Sequence, residues 1–301
     1  MRYAKGHGTG NDFIVLPDAD GRLDLTPALV RRLCDRHTGI GADGVLRAVL
    51  VGAAGPDAAG AGATDGAEWF MDYRNADGSV AEMCGNGVRV FARYLIGHGL
   101  AAGPDLAVAT RAGIRRVRQR ARDVFTVEMG PAAAGGSTWA VIGGTRHAGL
   151  AVSVGNPHLA CLVGRPVAEF DLALPPLVDP AVFPAGVNVE VVRMTGDLAV
   201  EMRVHERGSG ETLSCGTGAV AAAVAAAVAV GRWPDGEAAG DGAEWAVHVP
   251  GGRLAVLPSS TASLLTGPAE IVAEGEISPG WLAGAGAAAQ ASGVPRASAT
   301  A

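Results

Sequence analysis

Short apolar runs, each about the length of one β-strand, recur along most of the chain, and three segments instead have helical spacing. The helical segments are Thr26–Arg36, Gly85–Leu95 and Gly216–Val230. A glycine-rich turn is predicted at Gly6–Asn11, before the first strand. This mixture predicts an α/β (α+β) fold. The strand-like runs lie at 14–16, 45–51, 68–73, 188–192 and 198–204, and at several places within 106–163 and 247–272.

The third helical segment, Gly216–Val230, consists almost wholly of alanine and valine. A helix that is apolar on every side has no face suited to water, so we expect it in the middle of a domain. By contrast, Gly52–Gly66 is rich in glycine and alanine and contains Pro56, which predicts a surface loop.

Two parts of the chain repeat the same pattern around a cysteine. Asn75 precedes Cys84 by nine positions, and Glu206 precedes Cys215 by nine positions. Each cysteine is followed by Gly-x-Gly and then by a helical segment. The matched spacing, together with the following helix, favours an internal duplication over a chance recurrence of the short motif.

A second pair of similar segments supports the duplication. Gly10–Phe13 and Gly155–His158 both contain Gly-Asn, and each lies beside an apolar strand. We therefore expect two pseudo-symmetric homologous domains that face each other, with the active site in the interdomain cleft.

Composition and charge exclude several classes of function. The chain has 301 residues and a formal net charge of −6, which argues against a nucleic-acid surface. The densest arginine stretch, Arg111–Arg122, is interpreted as a strand with a solvated face. The longest apolar run, Ala219–Val230, is too short to span a bilayer. No signal peptide is recognised in the first residues, so we expect a cytoplasmic protein without a membrane partner.

The chain contains a single lysine, Lys5, and this limits cofactor chemistry. A pyridoxal-phosphate enzyme would have to use Lys5 for its Schiff base. A P-loop is excluded because Lys5 is followed by glycine and histidine. The run Gly39–Gly44 fits GxGxxG, but it follows a helix and precedes a strand, the reverse of the dinucleotide-binding order. We expect no cofactor.

The four cysteines show neither CxxC spacing nor the Cys/His spacing of a structural zinc site, so we predict free thiols and no metal site. Cys84 and Cys215 each precede a helix, whose N-terminal N–H groups and partial positive charge are expected to lower the pKa of a thiol. The glycines that follow leave the backbone open to a substrate carboxylate. Cys34 and Cys161 fit structural positions within a helix and a strand.

Two reactive thiols suit the inversion of an α-carbon. One thiolate removes a proton from one face while the other thiol supplies a proton to the opposite face. Without an imine or a metal, preorganised N–H groups in a closed cleft must stabilise the carbanion. His158 or Glu206 could set the protonation states of the thiols, with His205 as the alternative histidine. Arg207 could bind a second carboxylate.

Six segments of the chain are Lys5–Phe13, Arg36–Leu46, Tyr73–Val88, Val154–His158, Asn188–Val191 and His205–Gly218. In these segments the chain resembles the diaminopimelate epimerase family. The resemblance implies interconversion of L,L- and meso-diaminopimelate, a step towards lysine and peptidoglycan, with Cys84 and Cys215 as the two bases. It also implies that each domain is a mixed sheet wrapped around a central apolar helix, and that the enzyme is a homodimer.

The resemblance also assigns substrate-binding residues. Those implied around the reacting carbon are Asn11, Gly85, Asn86, Gly216 and Thr217. Those implied around the distal end are Asn75, Asn156, Asn188, Glu206 and Arg207. Many members of the family carry glutamine where this chain has Gly44.

The expected domains are residues 1–121 with 266–280, and residues 122–265, followed by a disordered tail at 281–301. In the family's fold the last strand returns to the first domain, here within Thr266–Pro279.

Three other functions are compatible with the motifs. A proline racemase or hydroxyproline epimerase would share the fold, but its substrate has no distal carboxylate for Arg207. A thiol redox or peroxide-sensing protein would join Cys84 to Cys215 in a disulfide. A non-catalytic amino-acid-binding module would bind without proton exchange.

Overall fold

A computed structural model describes residues 1–56, 66–233 and 242–283. Within these residues, 18 strands are hydrogen-bonded into one continuous network, and three helices have eight residues or more. The helices are α1 (Pro27–Cys34), α2 (Gly85–Gly97) and α3 (Gly216–Ala229). The strands of the first half are β1 (Arg2–Gly8), β2 (Asn11–Pro17), β3 (Gly44–Leu50), β4 (Trp69–Asn75), β5 (Asp105–Thr110), β6 (Gly113–Ala121) and β7 (Val124–Gly130).

The remaining strands follow in chain order. They are β8 (Ala133–Ile142), β9 (Thr145–Ser153), β10 (Pro157–Leu162), β11 (Leu177–Val178), β12 (Asn188–Gly196), β13 (Ala199–Glu206), β14 (Gly210–Thr212), β15 (Trp245–Val249), β16 (Gly252–Leu257), β17 (Ser263–Pro268) and β18 (Glu270–Glu276).

The same pairing pattern occurs twice. In the first half β1–β2 is antiparallel, β2–β3 parallel, β3–β4 antiparallel, β4–β5 parallel, and β5–β6 and β6–β7 antiparallel. Strands β9, β10, β12, β13, β15, β16 and β17 repeat the pattern in that order. The predicted pair of homologous α/β domains is confirmed.

Each half is built around one helix. Helix α2 packs against β1 to β7, and α3 packs against β8, β9, β10, β12, β13 and β15 to β17. Along α3 the residues from Gly218 to Ala227 are all buried, as expected for a helix with no polar face. A mixed sheet around a central helix, as the resemblance implied, is therefore observed in both halves. α3 is apolar on every side, whereas α2 also buries Arg89.

The two halves are also joined by strands. β17 pairs with β7, and β18, the last strand, pairs with β1 at the beginning of the chain. Thr266 faces Thr126 across the β17–β7 ladder, and their hydroxyl oxygens are 2.7 Å apart. The residue boundaries of the two domains remain a prediction.

The glycine-rich turn predicted at Gly6–Asn11 is shorter than expected. β1 continues to Gly8, and the turn consists of Thr9 and Gly10, which both have positive φ. Gly6 lies within the β1–β18 ladder. A Cβ at this position would come within 2.6 Å of the backbone oxygen of Glu270 on β18. The glycine is needed for close strand packing rather than for a turn.

Several other expectations concern loops and ends. The GxGxxG run lies between α1 and β3, the order that excludes a dinucleotide-binding turn. Residues 57–65 of the predicted surface loop and residues 284–301 of the predicted tail lie outside the described residues. Trp281, the first residue of that tail, donates a hydrogen bond to the Thr38 carbonyl and stacks under Arg32. Across the described residues, no helix has the length and apolar character that membrane crossing requires.

Candidate active site

Cys84 and Cys215 occupy equivalent positions, each as the N-cap of its domain's central helix. Both have extended backbone conformations, and each sulfur accepts the N–H of the residue three positions later. The distance is 3.5 Å from the Gly87 nitrogen to Cys84 Sγ and 3.4 Å from the Gly218 nitrogen to Cys215 Sγ. A side chain that accepts this N–H replaces the usual serine or aspartate cap.

The N-termini of α2 and α3 lie against each other. A Cβ on Gly216 would lie 3.3 Å from the Cα of Gly85, and a Cβ on either glycine would contact the side chain of Leu265. The Asn86 amide donates a 3.0 Å hydrogen bond across the junction to the carbonyl of Ser214. Both cysteines therefore border one shared space, with the partial positive charges of two helices directed into it.

That space is a cleft of about 1230 Å³ between the halves. His158, a predicted catalytic residue, is fully buried and does not line it. All the other predicted site residues line the cleft. They are Asn11, Asn75, Cys84, Gly85, Asn86, Asn156, Asn188, Glu206, Arg207, Cys215, Gly216 and Thr217.

Burial, rather than the helix termini, dominates the acidity of the two thiols. It raises the pKa of Cys84 to about 11, although the Gly87 N–H opposes the change. Burial also raises the pKa of Cys215 well above its usual value, and the carboxylates of Glu206 and Glu190 add to this effect. The expected lowering of the thiol pKa is therefore wrong in direction, because desolvation of a charged sulfur outweighs one N–H donor.

An ion-pair network holds Asn11 in place. The Asn11 amide donates to Asp43 Oδ2 at 2.7 Å, and Arg36 bridges Asp43 and Asp12. Lys5 pairs with Asp12 at 2.6 Å. The guanidinium of Arg36 and the ammonium of Lys5 lower the pKa of Asp12 to about 2, against the effect of burial. The single lysine is thus engaged in structure, away from the cleft lining.

The distal groups lie at the ends of equivalent strands. Asn75 ends β4, and Glu206 ends β13. Glu206 accepts a short hydrogen bond from the Thr212 hydroxyl. Asn188 accepts the backbone N–H of Arg207 at 2.9 Å, while the exposed Arg207 side chain donates to the Ala185 carbonyl. Arg207 is thus held by its backbone, with its exposed side chain beside the cleft.

The two candidate histidines have different surroundings. His205 Nδ1 lies 2.9 Å from the Leu172 carbonyl and has no place in the cleft lining. His158 Nδ1 lies 2.6 Å from Glu190 Oε1, and its Nε2 lies 3.0 Å from Asn156 Oδ1. Glu190 was not identified from the sequence. The signal that could have identified it is a carboxylate among the valines of the predicted strand Asn188–Val192.

Tyr73 lines the cleft and was also not identified from the sequence. Its ring packs edge-on against Phe13, and burial raises the pKa of its hydroxyl well above the usual value, as do the nearby Cys84 and Glu206. A Cβ at Gly44 would lie 2.7 Å from the Tyr73 ring. The ring of Tyr73, on the neighbouring strand β4, therefore occupies the space beside Gly44 and lines the cleft.

The other two cysteines fit their predicted structural positions. Cys34 ends α1 and Cys161 lies in β10, both buried, and burial raises the pKa of each to about 12. All four cysteines are free thiols. Among the described residues, no group of three His, Cys, Asp or Glu side chains is arranged to hold a metal ion.

Comparison with known proteins agrees with this geometry. The family model for diaminopimelate epimerase matches residues 3–134 and 150–272. The chain is 55% identical to the diaminopimelate epimerase of Thermobifida fusca, over 92% of this chain and 98% of that protein. It is 50% identical to that of Mycolicibacterium smegmatis, over 93% and 98% of the two chains.

The chain belongs to the diaminopimelate epimerase family. It is therefore an isomerase of the epimerase class.

Solved structures share its fold at much lower identity. A Bacillus anthracis phenazine biosynthesis protein of the PhzF family has a TM-score of 0.66 and 15% identity, over 92% of this chain and 99% of that one. A probable proline racemase from Agrobacterium radiobacter has a TM-score of 0.65 and 15% identity, over 92% and 93%. These matches show the two-domain fold alone.

Proposed function

We propose that this enzyme interconverts L,L- and meso-diaminopimelate by passing a proton between Cys84 and Cys215, without a cofactor. The observation that carries the proposal is the meeting of two helix N-termini, each capped by a cysteine, in one cleft. A planar carbanion held between two sulfurs can be protonated from either face, which is what inversion requires.

In the proposed reaction one cysteine is a thiolate and the other a thiol. The thiolate removes the Cα proton, and the thiol delivers its own proton to the opposite face, so the two exchange states in each turnover. The first N–H groups of a helix have no intrahelical partner. Those at Gly85, Asn86, Gly216 and Thr217 can bind the α-carboxylate and stabilise the charge that develops on it.

The rest of the cleft suits a substrate with a second amino-acid end. We assign Asn75, Asn156, Asn188, Glu206 and Arg207 to this distal end. A carboxylate and an arginine there match an ammonium and a carboxylate, respectively. Proline and hydroxyproline have no such end, so they would leave these groups without a partner. The shared fold with a probable proline racemase does not discriminate between the substrates.

The family resemblance supports further parts of the proposal. We assign the reaction to lysine and peptidoglycan precursor synthesis in the cytoplasm and propose that the enzyme acts as a homodimer on a small molecule, with no nucleic-acid or membrane partner. We also propose domain boundaries at 1–121 with 266–280, and at 122–265.

The test is incubation of the reduced protein with L,L-diaminopimelate in D2O, followed by NMR and chiral chromatography. We expect the meso isomer to form with deuterium at Cα, and we expect Cys84→Ala and Cys215→Ala each to abolish its formation. Cys34→Ala and Cys161→Ala are matched controls that should retain activity, because these thiols lie away from the cleft.

Turnover of proline or hydroxyproline instead of diaminopimelate would overturn the substrate assignment. Activity only in the oxidised protein, or binding without any deuterium uptake, would favour the thiol-switch or binding-module alternatives.

A further inference from the structure

A buried ion pair lies beneath Cys215 and has no part in the reaction proposed above. Glu190 on β12 and His158 on β10 are both completely inaccessible, and Glu190 Oε1 is 2.6 Å from His158 Nδ1. The second oxygen of Glu190 is buried with no hydrogen-bond partner among the described residues. A buried pair costs several kcal/mol in desolvation, so it is weak evidence for a stabilising role.

The internal repeat shows that the fold does not need this pair. β10 and β12 are parallel, with His158 opposite Asn188, two residues before Glu190. In the first domain β2 and β3 are parallel in the same way, with Phe13 opposite Gly44. The residues equivalent to His158 and Glu190 are therefore Phe13 and Leu46, both apolar and fully buried.

The helix turns above these residues match as well. A Cβ on Gly87, three residues after Cys84, would lie 3.3 Å from the Leu46 side chain. A Cβ on Gly218, three residues after Cys215, would lie 2.8 Å from Glu190 Oε1. One cysteine thus lies over a hydrocarbon side chain and the other over a carboxyl group in the same place.

A chain of hydrogen bonds connects the buried pair to the sulfur. His158 Nε2 lies 3.0 Å from Asn156 Oδ1, the Asn156 amide donates to Thr217 Oγ1 at 3.4 Å, and Thr217 Oγ1 lies 3.5 Å from Cys215 Sγ. Because Asn156 turns its oxygen to the histidine, this contact is a hydrogen bond only when Nε2 is the donor. Because Thr217 accepts from the amide, its own hydroxyl proton is free to point at the sulfur.

Cys84 has the opposite kind of partner. Its sulfur lies 3.6 Å from Asn11 Oδ1, an acceptor whose orientation is fixed because the amide nitrogen donates to Asp43. Cys84 can donate its thiol proton to that oxygen, whereas Cys215 receives a hydroxyl donor.

We propose that Glu190 is a positioning residue for the epimerase reaction: it orients His158, and through Asn156 it directs the Thr217 hydroxyl at Cys215. The otherwise equivalent cysteines are thereby given different hydrogen-bond partners. This inference rests on the proposed function, which it deepens.

The first test compares Glu190→Gln with the double substitution His158→Phe/Glu190→Leu, which copies the first domain's residues. We expect the double variant to fold with no loss in thermal midpoint, since apolar residues of similar size replace a buried pair. We expect kcat to fall about tenfold in both variants with little change in KM, as for the loss of an oriented hydrogen bond. Glu201→Gln, on the neighbouring strand β13 and paired with Arg193, is the matched control.

The second test separates a positioning role from a structural one. In a Thr217→Val background, which lacks the last donor, Glu190→Gln should have almost no further effect on kcat, because both changes break one chain. Iodoacetamide labelling, followed by peptide mass spectrometry, should separate two effects of Glu190→Gln on Cys215. Loss of the carboxylate, which raises the pKa of Cys215, should speed alkylation with or without the Thr217 hydroxyl. Loss of the hydrogen-bond chain should slow alkylation only where that hydroxyl is present, and Cys84 should be unaffected in both backgrounds. The labelling does not depend on which substrate is used.

Wild-type kcat in the double variant would overturn the proposal, as would an effect of Glu190→Gln that is equally large with and without the Thr217 hydroxyl. If the wild-type enzyme failed to epimerise diaminopimelate, the proposed function would fall, and the ratio of Cys215 to Cys84 labelling would still decide the role of Glu190.

Discussion

Each cleft cysteine combines two opposing influences on its sulfur. A backbone N–H from the first turn of a helix favours the thiolate, while exclusion of water favours the thiol. Burial prevails, and the pKa of Cys84 lies at about 11. A neutral thiol beside a thiolate is the state that a two-base reaction needs, since two thiolates in one closed cleft would repel each other.

The raised pKa predicts how activity depends on pH. Below about pH 11 most of the Cys84 thiol is protonated. The fraction of enzyme that carries the thiolate therefore grows about tenfold per pH unit. We therefore expect kcat/KM to rise between about pH 6 and 8. The measurement is initial rate against pH at constant ionic strength, with thermal midpoints recorded at each pH. A flat or falling profile from folded enzyme would contradict the assignment.

At the residue scale the sequence predicted the groups that carry recognisable motifs, and the structure places nearly all of them along the cleft. Glu190 and Tyr73 were missed for a physical reason. Each lies in a strand whose neighbours are buried, so its pattern resembles core packing, and only the tertiary register places it beside a cysteine. The expected direction of the thiol pKa failed because burial cannot be read from a helix cap.

The central helices connect the sequence pattern to the site. α3 is buried between the strands of its own domain, and this fixes where its N-cap, Cys215, meets the N-terminus of α2. Because no side of α3 is polar, the apolar run predicted its location as well as its existence. β1 was harder to predict, since glycines that serve close strand packing look like turn residues.

A substitution within α3 tests its packing. Val224 is fully buried, so Val224→Ala should lower the free energy of unfolding by about 2 kcal/mol through lost burial and a residual cavity. Val228, on the same helix, is 38% exposed, and Val228→Ala is the matched control with an expected change under about 0.5 kcal/mol. Urea unfolding of both variants is the measurement. Equal losses of unfolding free energy in the two variants would contradict the burial of Val224 within the domain.

At the scale of the whole molecule, strand pairs and a hydrogen bond join the two repeats. β7 pairs with β17, β1 pairs with the returning β18, and Asn86 bonds to Ser214 across the helix junction. The sequence predicted the duplication from its cysteine motifs. It could not predict the β7–β17 ladder, because pairing between distant strands depends on the folded arrangement of both halves.

This continuity predicts one cooperative unfolding transition. Independent domains of this size would unfold separately, whereas shared strands and a shared helix junction should couple them. Calorimetry, together with far-ultraviolet and tryptophan signals in urea, should give coincident single transitions. Two resolved transitions would show that the halves are energetically independent.

In the proposed reaction, two different cysteines serve the two faces of one carbon. The most direct measurement is the position of deuterium during the first few per cent of conversion of L,L-diaminopimelate in D2O. A two-base reaction predicts label at Cα of the meso product and almost none in the recovered L,L substrate, because the base that removes the proton is not the group that supplies the new one. Equal labelling of product and recovered substrate would indicate a single base and would contradict the two-cysteine reaction.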